Sequence, residues 1–258
     1  MDKPPQYLLV DIGNTRLKWV SASPTGPIQP AGEMATAEAT SERVEALARE
    51  FSHHYVIVAS VVPRLVGLFA RFFPDRLHLV SSHSSGLGFR FDYPKPPEIG
   101  ADRLAAAVAV YTDGQWPAII VQCGTATAIS VLNSEGKFCG GAIAPGLEAQ
   151  LDSLIGVTAQ LPRTDLHLPA TVPARSTEEA VRAGVLLNFR GGVKEILQTL
   201  IDTLPPSSPP VIVLTGGNAG HLEGKLGRPC ALRPLLVFEG LRIMGTTVFK
   251  PPLPYSEK

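Results

Sequence analysis

Binding a phosphate calls for backbone amides gathered on one side of a turn, glycine where the ligand comes close, and a carboxylate or cation at the edge. The string Asp11-Ile12-Gly13-Asn14-Thr15-Arg16-Leu17-Lys18 offers all of these directly after the apolar run Tyr7 to Val10. A hairpin turn at Gly13-Asn14 would expose several N–H groups, Gly13 would admit a phosphate without a Cβ in the way, and Thr15 would add a hydroxyl donor. Asp11, at the strand end, suits Mg²⁺ held through water while the metal bridges phosphate oxygens, and Lys18 suits neutralisation of a terminal phosphate. A second apolar run, Ile119 to Val121, leads through Gln122 and Cys123 into Gly124-Thr125-Ala126-Thr127. A third, Val211 to Leu214, ends at Thr215-Gly216-Gly217, where paired glycines would let the backbone lie flat against a nucleoside. Taken singly, the first two strings read equally well as ordinary hairpin turns, and a lone Gly-Gly after a strand is more often just a turn.

Gly100-Ala101-Asp102-Arg103 opens an alanine-rich segment after Tyr93 and a proline-rich loop. Amides at a helix N-terminus attract anions, and the planar Arg103 cation suits a carboxylate. Asp102 beside them could take the proton of an acceptor hydroxyl as phosphoryl transfer begins. The plainer alternative makes Asp102 a first-turn acid favoured by the helix dipole and Arg103 a solvated neighbour. His53, His54 and His83 read as solvated side chains, no G-x-S-x-G nucleophile string occurs, and both the G-x-x-x-x-G-K-[ST] and G-x-G-x-x-G phosphate loops are missing.

The elements that must position these residues follow from hydrophobic pattern. Strands are expected at Tyr7 to Val10, Arg16 to Ser21, Tyr55 to Val62, Arg76 to Val80, Trp116 to Val121, Ile129 to Leu132 and Val211 to Leu214. Helices are expected at Ser41 to Phe51 capped by Thr40 or Ser41, at Val66 to Phe73, Ala101 to Tyr111, Ala180 to Leu204 and Leu235 to Met244. Pro24 to Pro30, Ser81 to Gly100 and Pro205 to Pro210 read as irregular. The first two glycine turns echo each other: apolar strand, polar residue, one intervening residue, glycine, then small polar residues, with strand resuming afterwards. Two related halves joined near Tyr111 to Trp116 are the simplest explanation, giving domains 1–114 and 115–258.

Composition sets the outer limits. The chain has 258 residues, 45% hydrophobic and 18% charged, enough apolar material for a substantial core. Its 23 basic and 23 acidic residues cancel, which gives no global electrostatic reason to bind nucleic acid or an anionic membrane. Three cysteines without ligand spacing suit a reducing compartment. The N-terminus lacks the pattern of a signal peptide and no stretch has the length of a membrane helix, so a cytoplasmic location is expected.

In this order and spacing, the three strand-glycine strings resemble the two phosphate loops and the adenosine loop of the actin/Hsp70/sugar-kinase superfamily. That resemblance implies an α/β fold of two RNase H-like domains with the active site in an interdomain cleft. Adding Tyr93, Gly100 to Arg103, Gly140-Gly141-Ala142-Ile143-Ala144-Pro145-Gly146, Leu161-Pro162 and Thr177 with Ala180, the chain resembles the type III pantothenate kinases over nearly its whole length. The resemblance implies transfer of the ATP γ-phosphate to pantothenate, the first step of coenzyme A synthesis. Asp102 would accept the proton. Asp11, Ile12, Gly13, Asn14, Thr15, Arg16, Leu17, Lys18 and Thr125 would hold the nucleotide, with Asp11 on Mg²⁺. Tyr93, Gly100, Ala101, Asp102, Arg103 and Thr177 would contact pantothenate, with Thr177 reaching the partner's site in a homodimer. A monovalent cation, potassium or ammonium, is also implied, yet Gln122 stands where the family carries an aspartate for it. A kinase for another small alcohol or sugar and a non-catalytic ATP-binding regulator remain the alternatives on the same fold.

Overall fold

In the computed structural model, which describes residues 6–169 and 171–249, the first apolar run becomes strand β1 (Tyr7–Ile12). β2 (Arg16–Ala22) returns antiparallel to it across the Gly13–Thr15 turn, and β3 (Gln29–Ala35) adds antiparallel to β2. β4 (Tyr55–Ser60) then joins β1 in parallel and β5 (Leu77–Leu79) joins β4 in parallel, giving the order β3-β2-β1-β4-β5. Alternation along β1 assigns its faces. Leu8, Val10 and Ile12 bury against α1 (Ser41–Glu50) and α2 (Pro63–Phe72), in a core with Val44, Leu47, Leu65 and Phe69. The opposite face, which carries Tyr7, Leu9 and Asp11, receives α6 (Leu236–Val248), and α6 packs lengthwise on α3 (Ala101–Thr112). Thr40 caps α1 as its side chain accepts from the Arg43 amide.

A second unit repeats the plan. β6 (Ala118–Cys123), β7 (Ala126–Leu132) and β8 (Phe138–Pro145) form an antiparallel meander. β9 (Val211–Thr215) and β10 (Ala231–Leu232) extend it in parallel, giving the order β10-β9-β6-β7-β8. α4 (Leu147–Gly156) and α5 (Thr177–Ile201) cover one face, with Val121, Ile129, Leu151, Leu186, Phe189 and Leu214 in the core. Each unit is therefore an α/β layer structure on a five-stranded mixed sheet of RNase H-like connectivity.

The structure departs from the sequence reading at several places. β3 begins at Gln29, inside the segment read as loop, because an edge strand with Pro30, Gly32 and mostly exposed positions has no apolar signature. β8 and α4 are further elements that small, glycine-rich or mixed composition concealed. α2 starts at Pro63, where proline preorganises the first helical position, and α5 starts at Thr177 behind the Ser176 cap. Compact units divide the chain after Gly114 and again after Pro234, so α6, assigned to the second half by the sequence reading, packs in the first unit. The leading residues 1–5, read for a signal peptide, lie outside the described residues.

Close packing of α6 on α3 depends on small residues. Ala105, Ala106, Ala107 and Ala109 of α3 are buried, and a methyl at Gly240 would overlap the Ala105 carbonyl. Gly240→Ala is expected to destabilise the fold by about 1–3 kcal/mol through overpacking, read as a lower urea midpoint. By contrast, Gly191 lies in α5 with open space where a Cβ would stand. Gly191→Ala should therefore raise stability by about 0.5–1 kcal/mol. Equal midpoints for the two variants would refute this account of the α3–α6 contact.

Candidate functional site

Asp11 is the last odd-numbered residue of β1 and so projects on the face that carries α6. Its cross-strand neighbours are Lys18 on β2 and Ala59 on β4. Asp102 stands in the first turn of α3, behind Gly100 as N-cap. A Cβ at Gly100 would lie 2.6 Å from Asp102 Oδ1, so glycine there leaves the carboxylate its place. Asp11 senses the charge of Asp102. Desolvation first, and then the charge of Asp102, push the Asp11 carboxyl up to about 7, while Lys18 opposes the shift. Burial also raises Asp102, countered by the Arg103 amide, the Arg103 charge and its own amide. Arg103 is nearly buried, and burial lowers its proton affinity, opposed first by the Asp102 charge and then by neighbouring Tyr93.

The sign of the Asp11 shift has a consequence for stability. With a folded value above the unfolded one, the folded chain binds the extra proton between about pH 4 and pH 7, and stability falls as pH rises through that window. An ionised Asp11 is thus a frustrated charge that a cation would relieve. Among the described residues no cluster of three His, Cys, Asp or Glu side chains could cage a metal. The Asp11 carboxylate would suit Mg²⁺ arriving with phosphate oxygens and waters, which needs only one or two protein carboxylates.

Gly13 to Arg16 close the first turn, with the Gly13 amide donating to the Arg16 carbonyl at 3.0 Å. Asn14, Thr15 and Arg16 are exposed, whereas Ile12 and Leu17 are core residues whose share in any nucleotide site comes through their backbone. A cavity of about 690 Å³ adjoins the start of α3, lined by Ser60, Val61, Ser81, His83, Ile99 and Gly100. Sequence reasoning assigned nothing to Ser60, Ser81 or Ile99, whose spacing carries no motif. It also missed Thr36, which contacts the first turn. His53 is exposed as expected, but His54 is half-buried beside Phe51 and Arg76, and burial lowers its imidazole.

In the second unit three of the expected motifs meet. Gly124 donates to the Ala126 carbonyl at 3.0 Å, closing the second turn, and the Gly146 amide donates to the Thr125 carbonyl at 3.1 Å. A side chain at Gly146 would overlap the Gly124 and Thr125 backbone, and one at Gly216, whose φ is +92°, would overlap Cys123. Asn218 completes the junction, donating its amide to the Cys123 carbonyl and its Nδ2 to Glu148 Oε2. Gln122 is almost buried, flanked in register by Ala128 and Thr215. Thr177 is exposed at the start of α5.

Comparison with known proteins fits this picture. The sequence description of the type III pantothenate kinase family matches residues 7–199. A type III pantothenate kinase from Akkermansia muciniphila is 37% identical over 237 residues, spanning 92% of this chain and 97% of its own. Among solved structures, a Campylobacter jejuni protein assigned to the Baf family of transcriptional activators superposes with a TM-score of 0.60 at 19% identity, over 93% of this chain and 97% of that one. MreB 5 of Spiroplasma citri, solved with AMPPNP, superposes with a TM-score of 0.56 at 13% identity, over 96% of this chain and 98% of that one. The structural likenesses show a shared fold of α/β units on five-stranded mixed sheets. With the sequence match running through both glycine turns and the Gly100–Arg103 string, the chain belongs to the type III pantothenate kinase family.

Proposed function

We propose that this protein phosphorylates pantothenate with ATP, giving 4′-phosphopantothenate and ADP as the first step of coenzyme A synthesis. The observation that carries the reading is the pairing, within one unit, of a phosphate-type turn ending β1 with a desolvated carboxylate at the start of α3. Asp102 is the proton acceptor. As the substrate hydroxyl oxygen attacks the γ-phosphorus, the O–H proton passes to the Asp102 carboxylate and the bond from phosphorus to the β,γ-bridging oxygen breaks, releasing ADP. Its raised proton affinity makes Asp102 a better base than an exposed aspartate. Arg103 and Tyr93 orient the acceptor, with the Gly100 and Ala101 backbone as the floor of its site. The turn from Asp11 to Lys18 and the hydroxyl of Thr125 hold the nucleotide phosphates.

Asp11 would hold Mg²⁺ through water, and the ion when bound neutralises charge on the transferring phosphoryl group. Thr177, exposed at the start of α5, serves the pantothenate site of the second protomer in a homodimer. No helix among the described residues is long and apolar enough to cross a membrane, and we place the reaction in the cytoplasm. At the monovalent-cation position Gln122, Thr215 and Ser130 share one face of the sheet by register and offer neutral oxygens only. Dependence on potassium or ammonium should therefore be weaker than an aspartate would give.

Mass spectrometry of a reaction with ATP, Mg²⁺ and pantothenate should detect 4′-phosphopantothenate. Asp102→Asn should lower kcat by about 10²–10⁴-fold while nucleotide binding persists. Full activity in that variant would remove Asp102 as the base. Potassium titrated against sodium should show shallow activation in the native protein and a steeper, potassium-selective response in Gln122→Asp. An identical tight dependence in both proteins would eliminate the role given to Gln122.

A further inference from the structure

Every anion-binding turn faces the same difficulty: its amides must be aimed at the ligand while its carbonyls, which repel phosphate, are tied down elsewhere. In the first unit that task falls to a residue outside the turn. Thr36 follows β3 and is 3% exposed. Its hydroxyl donates to the Gly13 carbonyl at 2.7 Å and its amide donates to the Thr15 carbonyl at 2.9 Å. One residue thus holds two carbonyls of the turn. Because a trans peptide sets its N–H opposite its C=O, anchoring these carbonyls directs the Asn14 and Arg16 amides away from Thr36. Thr36 is itself fixed from behind: the Arg64 guanidinium, on α2, donates to the carbonyls of Thr36 and Ala39.

The second unit shows what the minimal device looks like. There Gly146 occupies the corresponding place after the third strand of its sheet, and its amide holds the Thr125 carbonyl. No side chain fits at Gly146, so no hydroxyl can be added. The Thr36 hydroxyl is an extra anchor belonging to the first turn.

We infer that Thr36, backed by Arg64, is a positioning residue that preorganises the first phosphate turn for the nucleotide. The inference rests on the reading of Gly13 to Arg16 as that turn. Thr36→Val keeps the side-chain shape and the backbone amide and removes only the hydroxyl donor. It should raise the KM for ATP about tenfold, leave the KM for pantothenate near its native value with only a small drop in thermal midpoint, and be rescued by Thr36→Ser. Unchanged KM for ATP, or both KM values rising together with a falling midpoint and no serine rescue, would overturn the inference. Should Thr36→Val fail to fold, Arg64→Met on the exposed face of α2 decides: a selective rise in KM for ATP supports the inference, and no change overturns it. Equilibrium dialysis with AMPPNP separates this test from the proposed reaction. A native protein that makes no 4′-phosphopantothenate refutes that reaction, while weaker AMPPNP binding by Thr36→Val than by Thr36→Ser supports the positioning role and equal binding refutes it.

Discussion

Two carboxylates held in one desolvated corner govern the first unit. Asp11 ends a buried strand and Asp102 begins a buried helix, and each makes ionisation of Asp11 less favourable, one by its burial and the other by its charge. A fold does not keep such an arrangement for stability, since burying like charges near each other costs free energy. Much of the surrounding structure serves to impose it. Strand alternation turns Asp11 toward the face covered by α6, the alanines of α3 and the glycine at 240 let α6 press α3 into place, and Gly100 leaves room for the Asp102 carboxylate. Lys18, directly across from Asp11 in the hairpin, is a cationic counterweight that opposes the upward shift of the Asp11 carboxyl.

The two units use one architecture for different ends. Both turn sharply after the first strand of the sheet, and both secure that turn from the residue following the third strand. In the first unit the turn is followed by Lys18 and overlooked by the acids. In the second it is wrapped by backbone: Gly146 on one side and Gly216 with Asn218 on the other leave no room for side chains. Repetition of a sheet order is therefore compatible with division of labour. Around its turn the first unit gathers Asp11, Lys18 and Asp102, and around its own turn the second packs main chain closely.

Much of this was legible in the sequence because the telling signals are local. Apolar runs of strand length ending in Asp11-Ile12-Gly13 or Gln122-Cys123-Gly124 give both the strand and the turn, and the helix bearing Asp102 announces itself by its alanines. What stayed hidden depends on partners far along the chain. β3 and β8 are edge strands rich in glycine, proline and exposed positions, so their identity comes from the ladder beside them rather than from side-chain pattern. Helix α6 has an ordinary amphipathic sequence, and nothing in it says which unit it will join. Thr36 is one threonine among many until folding brings it under Gly13 and Thr15, 23 residues from Gly13, whose carbonyl accepts its hydroxyl.

The state of the Asp11 carboxyl in the metal-free, nucleotide-free protein reports whether Asp11 and Asp102 share a desolvated corner. A ¹³C NMR titration of the aspartate side-chain carboxyls, with Asp11→Asn to assign the signal, measures it without reference to any activity. The predicted midpoint is about 7, moving down when Asp102 is replaced by asparagine. A midpoint near the ordinary 3.8, unmoved by that replacement, would mean that the two acids do not share a desolvated corner, and the central geometric claim would fail.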